Sequence, residues 1–142
     1  MRALGLDLGS KRIGVAVSDR SGTIATPRTV LLRSGDRSRD HLAIAALVAE
    51  EEAEVVVVGL PLSLDGSLGP AARAALTEAA EIRSIVPVPV ETYDERLTTV
   101  TADRALMEAR MRAEARRRLV DKVAAAVMLQ SWLDRRHEAG QP

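Results

Sequence analysis

Apolar residues run from Ala3 to Leu8 and again from Ile13 to Ser18, separated by Gly9-Ser10-Lys11-Arg12. Two short β-rich runs around a glycine turn predict a hairpin. A third run, Thr23 to Leu32, follows the turn at Ser21-Gly22, so the first third of the chain reads as an antiparallel meander. The period then changes. Residues 38–53 repeat with helical spacing, placing Leu42, Ala45, Ala46 and Ala49 on one face. Glu54-Val55-Val56-Val57-Val58-Gly59 is nearly continuous in apolar character, the mark of a strand covered on both sides. Residues 59–69 form a loop of turn formers that is mobile by composition. Pro70 opens an alanine-rich helix reaching about Ser84. Val86 to Tyr93 reads as a strand. Its Pro87 and Pro89 lack N–H groups on the same side, which assigns it to a sheet edge. Helical stretches over 99–110 and 113–136 close the chain.

The order βββ-α-β-α-β-α(α) predicts an α/β fold, a ribonuclease-H-like mixed five-stranded sheet with helices on both faces. No linker or repeat divides the chain. We expect one domain over residues 1–137 and a polar tail at 138–142.

Composition narrows the chemistry. There is no cysteine, which removes disulfides, thiolate metal sites and thiol nucleophiles. The two histidines, His41 and His137, fall at a helix start and in the tail, so a Ser-His-Asp triad is not expected. Twenty basic residues balance twenty acidic ones, which argues against an indiscriminate polyanion binder while leaving room for a local basic patch. With no Phe, one Tyr93 and one Trp132, base-stacking platforms are nearly ruled out. No run approaches a membrane span, so no membrane partner is expected. The opening MRALGLDLGS does not read as a signal peptide, which makes the cytoplasm the expected location.

Any catalysis must then rest mostly on carboxylates, arginines and lysines, and backbone. Strand alternation sets Asp7 on one face with Ala3 and Gly5. A carboxylate on a mostly buried strand is costly unless paired or metal-bound, although capping of the turn at Gly9 is the simpler role. Asp94-Glu95-Arg96 leaves the edge strand at its C-terminal end, where sites collect in open α/β sheets. A solvated turn with a local Glu–Arg pair is its plainer reading. Asp121 lies under Ala125, Met128 and Trp132 on one helical stripe and borders the packed face, as a site residue or as an ion-pair partner of Arg117 or Arg118. In the expected fold, Ala3 and Gly5 admit the turn around Ala124 and Ala125 closely, bringing Asp121 toward Asp7. An all-oxygen donor set selects hard cations, Mg²⁺ or Mn²⁺. Two such ions about 4 Å apart suit phosphodiester hydrolysis.

Four blocks complete the sequence picture: GLDLGSKRIGVAVSD (5–19), VVVGLPLSLDGSLGP (56–70), VETYDERLTT (90–99) and VDKVAAAVMLQ (120–130). In this order they resemble the YqgF/RuvX family of Holliday junction resolvases and pre-16S rRNA nucleases. The resemblance implies metal-dependent hydrolysis of structured nucleic acid, four-way junction DNA or the 5′ end of pre-16S rRNA, leaving 5′-phosphate and 3′-hydroxyl ends. It implies Asp7, Glu95 and Asp121 as the catalytic, metal-binding carboxylates. The helix AARAALTEAAEI lacks the aromatic residue that the family leads one to expect.

Basic residues around these motifs are candidates for phosphate contact: Lys11 and Arg12 in the hairpin turn, Arg96 and Thr98 beside Glu95, and Arg116, Arg117, Arg118 and Lys122 before and after Asp121. A solvated helix face with Glu114–Arg118 pairing is the alternative for the last group. Two other functions compete. One is an ATP-dependent enzyme of the actin-like superfamily, which GLDLGSKRIGVAVSD also suggests, but the length gives room for one such domain where those enzymes use two. The other is a non-catalytic nucleic-acid- or ribosome-associated module of the same fold. Two symmetric cuts in a junction make a homodimer the geometric expectation. Nothing in the sequence chooses DNA over RNA.

Overall fold

The structure is a computed structural model that describes residues 1–98 and 113–140; the side chains of 113–122 lie outside that description. Strands β1 (Ala3–Leu8), β2 (Arg12–Ser18) and β3 (Ala25–Leu32) form the meander. They are followed by α1 (Arg37–Glu50), β4 (Val55–Leu60), α2 (Pro70–Arg83), β5 (Val90–Asp94), a 3-10 turn (Glu95–Leu97) and α3 (Ala113–Glu138). The five strands lie in the order β3-β2-β1-β4-β5. β1 runs antiparallel to β2 and parallel to β4, and β4 runs parallel to β5. The sheet is therefore mixed, as expected. The expected helix over 99–110 lies outside the described residues.

Both faces of the sheet are buried. Leu4, Leu6, Val56 and Val58 pack with Ile44, Leu47 and Val48 of α1 and Ala79 and Ile82 of α2. Ala3, Val55, Val57 and Tyr93 pack on the other face with Ala125, Met128, Leu129, Trp132 and Leu133 of α3. This double coverage explains why β1 and β4 read as continuous apolar runs. No helix among the described residues is long and apolar enough to cross a membrane.

Three local expectations are corrected. Leu42, Ala46 and Ala49 face outward from α1, with Leu42 65% exposed, while Ile44, Leu47 and Val48 face the sheet. Both stripes are apolar, and the one with the larger, branched side chains buries more area. The third strand begins at Ala25 because the Thr23 and Ile24 N–H groups are bonded to the Asp19 carboxylate. The last strand begins at Val90, since Pro87 and Pro89 have no N–H to enter the ladder. That strand nevertheless occupies a sheet edge.

α3 crosses β1 very closely. A Cβ built on Gly5 would lie 3.0 Å from Leu129 Cβ and 3.3 Å from the Ala125 carbonyl oxygen. Leu133, further along the helix, lies near Gly22 and Met1 at the start of β1. The helix thus runs antiparallel to β1, and its earlier turns point toward the end of the strand that carries Asp7. Gly5→Val should overpack this crossing and cost about 1–3 kcal/mol, measured by chemical denaturation.

Candidate active site

Asp7 and Glu95 converge on one end of the sheet. Asp7 is half-buried, on the α3 side of β1, and pairs across the hairpin with Gly14. One residue beyond the pair Leu6↔Val58, the parallel register sets Asp7 beside Gly59 of β4. Asp7 is therefore flanked on both neighbouring strands by glycines, Gly14 and Gly59, both buried. Glu95 folds over Gly59. A Cβ on Gly59 would meet Glu95 Oε1 at 2.6 Å and its Cγ and Cδ at 3.2 Å. The carboxylate thus lies flat over the strand next to Asp7.

Local hydrogen bonds hold Glu95 there. Asp94 caps the 3-10 turn by accepting from the Arg96 N–H at 2.9 Å. The Thr98 hydroxyl donates to the Glu95 carbonyl at 2.7 Å. The Arg96 guanidinium grips the Asp94 carboxylate, with Nη2 to Oδ2 at 2.7 Å. This hydrogen bond, chiefly, holds the Asp94 carboxyl below its ordinary value. Sequence reasoning named a local Glu–Arg pair here; the Asp94–Arg96 pair is one it did not name. Arg96 also donates to the Leu64 carbonyl at 3.3 Å, tying the 61–69 loop to the site. Thr98 and Arg96, expected to contact phosphate, both make bonds that shape the site.

That loop carries hydrogen bonds of its own. Ser63 N–H donates to Ser67 O at 3.1 Å and Gly66 N–H to Ser63 O at 2.8 Å, with Gly66 at φ 88°. The turn at Asp65-Gly66 is closed by Asp65 Oδ1, which accepts from the Ser67 N–H at 2.9 Å. It is a folded turn, and it presents Leu64 to solvent.

Lys11 is exposed and Arg12 half-buried in the turn that follows Asp7. Asp121 belongs to α3 by its backbone, one helical turn before Ala125. Its side chain, and those of Arg116, Arg117, Arg118 and Lys122, lie outside the described residues. Among the described residues no group of three or more His, Asp or Glu gathers as a metal site; two carboxylates, Asp7 and Glu95, meet at this end. Their donors are all oxygen, the donor type that hard cations take.

Sequence reasoning missed two features. One is the pair Gly14 and Gly59, legible only as the glycines that interrupt β2 and β4. The other lies across the sheet, where Arg33 forks the buried Glu78 (Nη1–Oε2 2.6 Å, Nη2–Oε1 2.9 Å) and His41 Nε2 meets Glu78 Oε2 at 2.8 Å. Its signal was a glutamate at helical spacing between Ala75 and Ile82 on the apolar face of α2. Burial works to raise the Glu78 carboxyl, but the hydrogen bonds from Arg33 and His41 outweigh it and hold the group below 4.5. A carboxyl depressed on folding contributes stability above its unfolded value and loses it as pH falls through its folded one. Glu78→Gln should therefore lower stability at neutral pH yet flatten the loss as pH falls below the ordinary glutamate range, seen in denaturation midpoints measured across acid pH.

The model of the RuvX family, described as Holliday junction resolvase, matches residues 1–135. A protein described as "Putative pre-16S rRNA nuclease" from Mycobacterium sp. (strain KMS) is 50% identical over 139 residues, 97% of this chain and 82% of that one. One of the same description from Halalkalibacterium halodurans is 45% identical over 136 residues, 95% of this chain and 97% of that one. Among solved structures, Thermus thermophilus RuvC in complex with Holliday junction substrate aligns with a TM-score of 0.63 at 18% identity, covering 100% of this chain and 99% of that one. The yeast mitochondrial Holliday junction resolvase Ydc2 aligns at 0.51 and 11% identity, over 92% and 77%. These two share the fold, and the ribonuclease-H-like architecture expected from the order of elements is the one observed. With the family matched over residues 1–135 and relatives at 45% and 50% identity along nearly the whole chain, this protein belongs to the RuvX Holliday junction resolvase family.

Proposed function

We propose that the chain is a divalent-cation-dependent endonuclease for structured nucleic acid, either four-way junction DNA or the 5′ end of precursor 16S rRNA. Asp7, Glu95 and Asp121 would hold two Mg²⁺ or Mn²⁺ ions. The observation that carries this reading is the placement of Glu95 over Gly59, beside Asp7, at the C-terminal end of the parallel strands. The antiparallel course of α3 supports the third ligand, because from Ala125 over Gly5 one turn of helix (~6 Å) matches two residues of strand (~6.6 Å) toward Asp7.

The residues divide the work. Asp7 sits on a strand paired on both sides and gives a fixed anchor. Glu95 reaches in from a capped turn and can adjust its reach. When bound, the cations supply Lewis acidity, activating water and stabilising the leaving 3′ oxygen. Lys11 and Arg12 would steady the substrate backbone at the rim, joined by Arg116, Arg117, Arg118 and Lys122 on the first turns of α3. His41 is committed to Glu78 on the opposite face, so among the described residues no imidazole serves this end of the sheet.

The test is cleavage of a labelled four-way junction and of a precursor 16S leader, with Mg²⁺, with Mn²⁺ and with chelator. We expect cutting of at least one substrate that stops on chelation. Binding of both without cleavage in either cation would overturn the reading in favour of a non-catalytic module. Two coordinated cuts in the junction, with sedimentation as a dimer, are expected if junction DNA is the substrate.

A further inference from the structure

The Arg33–Glu78–His41 cluster has no part in the reading above, yet it is the most buried charged assembly among the described residues. The Arg33 side chain is 17% exposed, Glu78 7% and His41 5%. Such a group is weak evidence for stability, since well-packed apolar side chains of like volume would serve as well or better. What a forked guanidinium adds is fixed geometry.

That geometry has a definite target. After forking Glu78, Arg33 spends its remaining Nε–H on the Gly9 carbonyl at 3.0 Å. Its own backbone N–H donates to the Lys11 carbonyl at 2.9 Å. Gly9 N–H in turn donates to Arg12 O at 2.9 Å, so both polar atoms of Gly9 are tied. The turn admits no side chain at this position, because a Cβ on Gly9 would fall 2.6 Å from Arg12 O. This turn begins two residues after Asp7 and carries Lys11 and Arg12. Glu78 is anchored in α2 and His41 in α1, so the hairpin turn is braced against both helices on the far side of the sheet.

We propose that Arg33 is a positioning residue for the reaction, with Glu78 and His41 as its footing: through Gly9 it sets the turn that fixes the Asp7 carboxylate and presents Lys11 and Arg12. The inference rests on Asp7 being a cation ligand. Partners that orient a ligand commonly cost 10–100-fold in metal affinity or activity when removed, by the general record of such sites. A displacement of about 1 Å at reacting groups has effects of similar size.

Arg33→Lys tests it directly. The ammonium can still pair with Glu78 but cannot fork that carboxylate and reach Gly9 together. The wild-type substrate is whichever of the two nucleic acids is cut. Expected are a nearly unchanged melting temperature, KM within about twofold, kcat down about tenfold, and Mn²⁺ binding by calorimetry weaker by about tenfold. A second variant, Arg33→Met with Glu78→Leu, replaces the charges by apolar volume and should keep the fold while showing the same loss. Folded variants with wild-type kcat and Mn²⁺ affinity would overturn the proposal. So would activity that falls only in proportion to the unfolded fraction, which would make the cluster an element of the fold alone. Asp7→Asn, run alongside, separates the two ideas: cutting by that variant at the wild-type rate removes the site itself, whatever Arg33 does.

Discussion

Asp7→Asn is expected to bind nucleic acid at least as tightly as the wild-type chain and to cut it about a thousandfold more slowly, equivalent to about 4 kcal/mol on the barrier. Asparagine keeps the shape of the side chain and the backbone pairing of residue 7 with Gly14, so the strand has no reason to move. What disappears is one negative charge, and with it a ligand for the cations that polarise the phosphodiester. Loss of that charge also removes repulsion toward a phosphate, which is why affinity should hold or rise. Single-turnover cleavage with saturating enzyme isolates the chemical step, and a gel-shift titration in Ca²⁺ reads binding. Cleavage within a few-fold of wild type would sink the assignment of Asp7.

Gly59→Ala should separate activity from stability in the opposite direction. In the middle of a strand alanine is favoured over glycine by roughly 0.5–1 kcal/mol, through the entropy of the unfolded chain. Here the new methyl would meet Glu95 Oε1 at 2.6 Å. The obstacle is the tip of a flexible side chain, so the fold can yield cheaply by moving Glu95 away. Melting temperature should stay level or rise. Cleavage should fall about a hundredfold, since the displaced carboxylate leaves its place beside Asp7. A more stable variant with full activity would show that the seat of Glu95 over Gly59 is not the working one.

Much of this was legible in the sequence because burial on two sides of a sheet leaves a plain trace. The valine run 55–58 and the apolar β1 announced a central parallel pair, and Gly5 announced the close crossing of α3. Asp7 and Glu95 were readable as carboxylates at strand ends. Other features were not readable, for physical reasons. On α1, the stripes through Leu42 and through Ile44 are both apolar, and tertiary packing chose between them. The Asp94–Arg96 pair was not foreseen, and Glu95 turns inward over Gly59 of β4, the strand next to the hairpin, a contact with no local sequence signal. The Arg33–Glu78–His41 cluster joins residues 37 and 45 positions apart, and only the fold brings them together. The loop read as 59–69 begins two residues later, because Gly59 and Leu60 still pair in β4, and its hydrogen bonds cannot be foreseen from composition.

The central claim is that Asp7, Glu95 and Asp121 share one cation site, and Mn²⁺ titration followed by electron paramagnetic resonance measures it most directly. Wild-type protein, Asp7→Asn, Glu95→Gln and Asp121→Asn are compared at equal concentration, with folding checked by circular dichroism. The account predicts that each substitution weakens Mn²⁺ binding by about tenfold or more, and that Asp121→Asn behaves like the other two. Wild-type Mn²⁺ affinity and stoichiometry in any one of the folded variants would place that carboxylate outside the site and contradict the account.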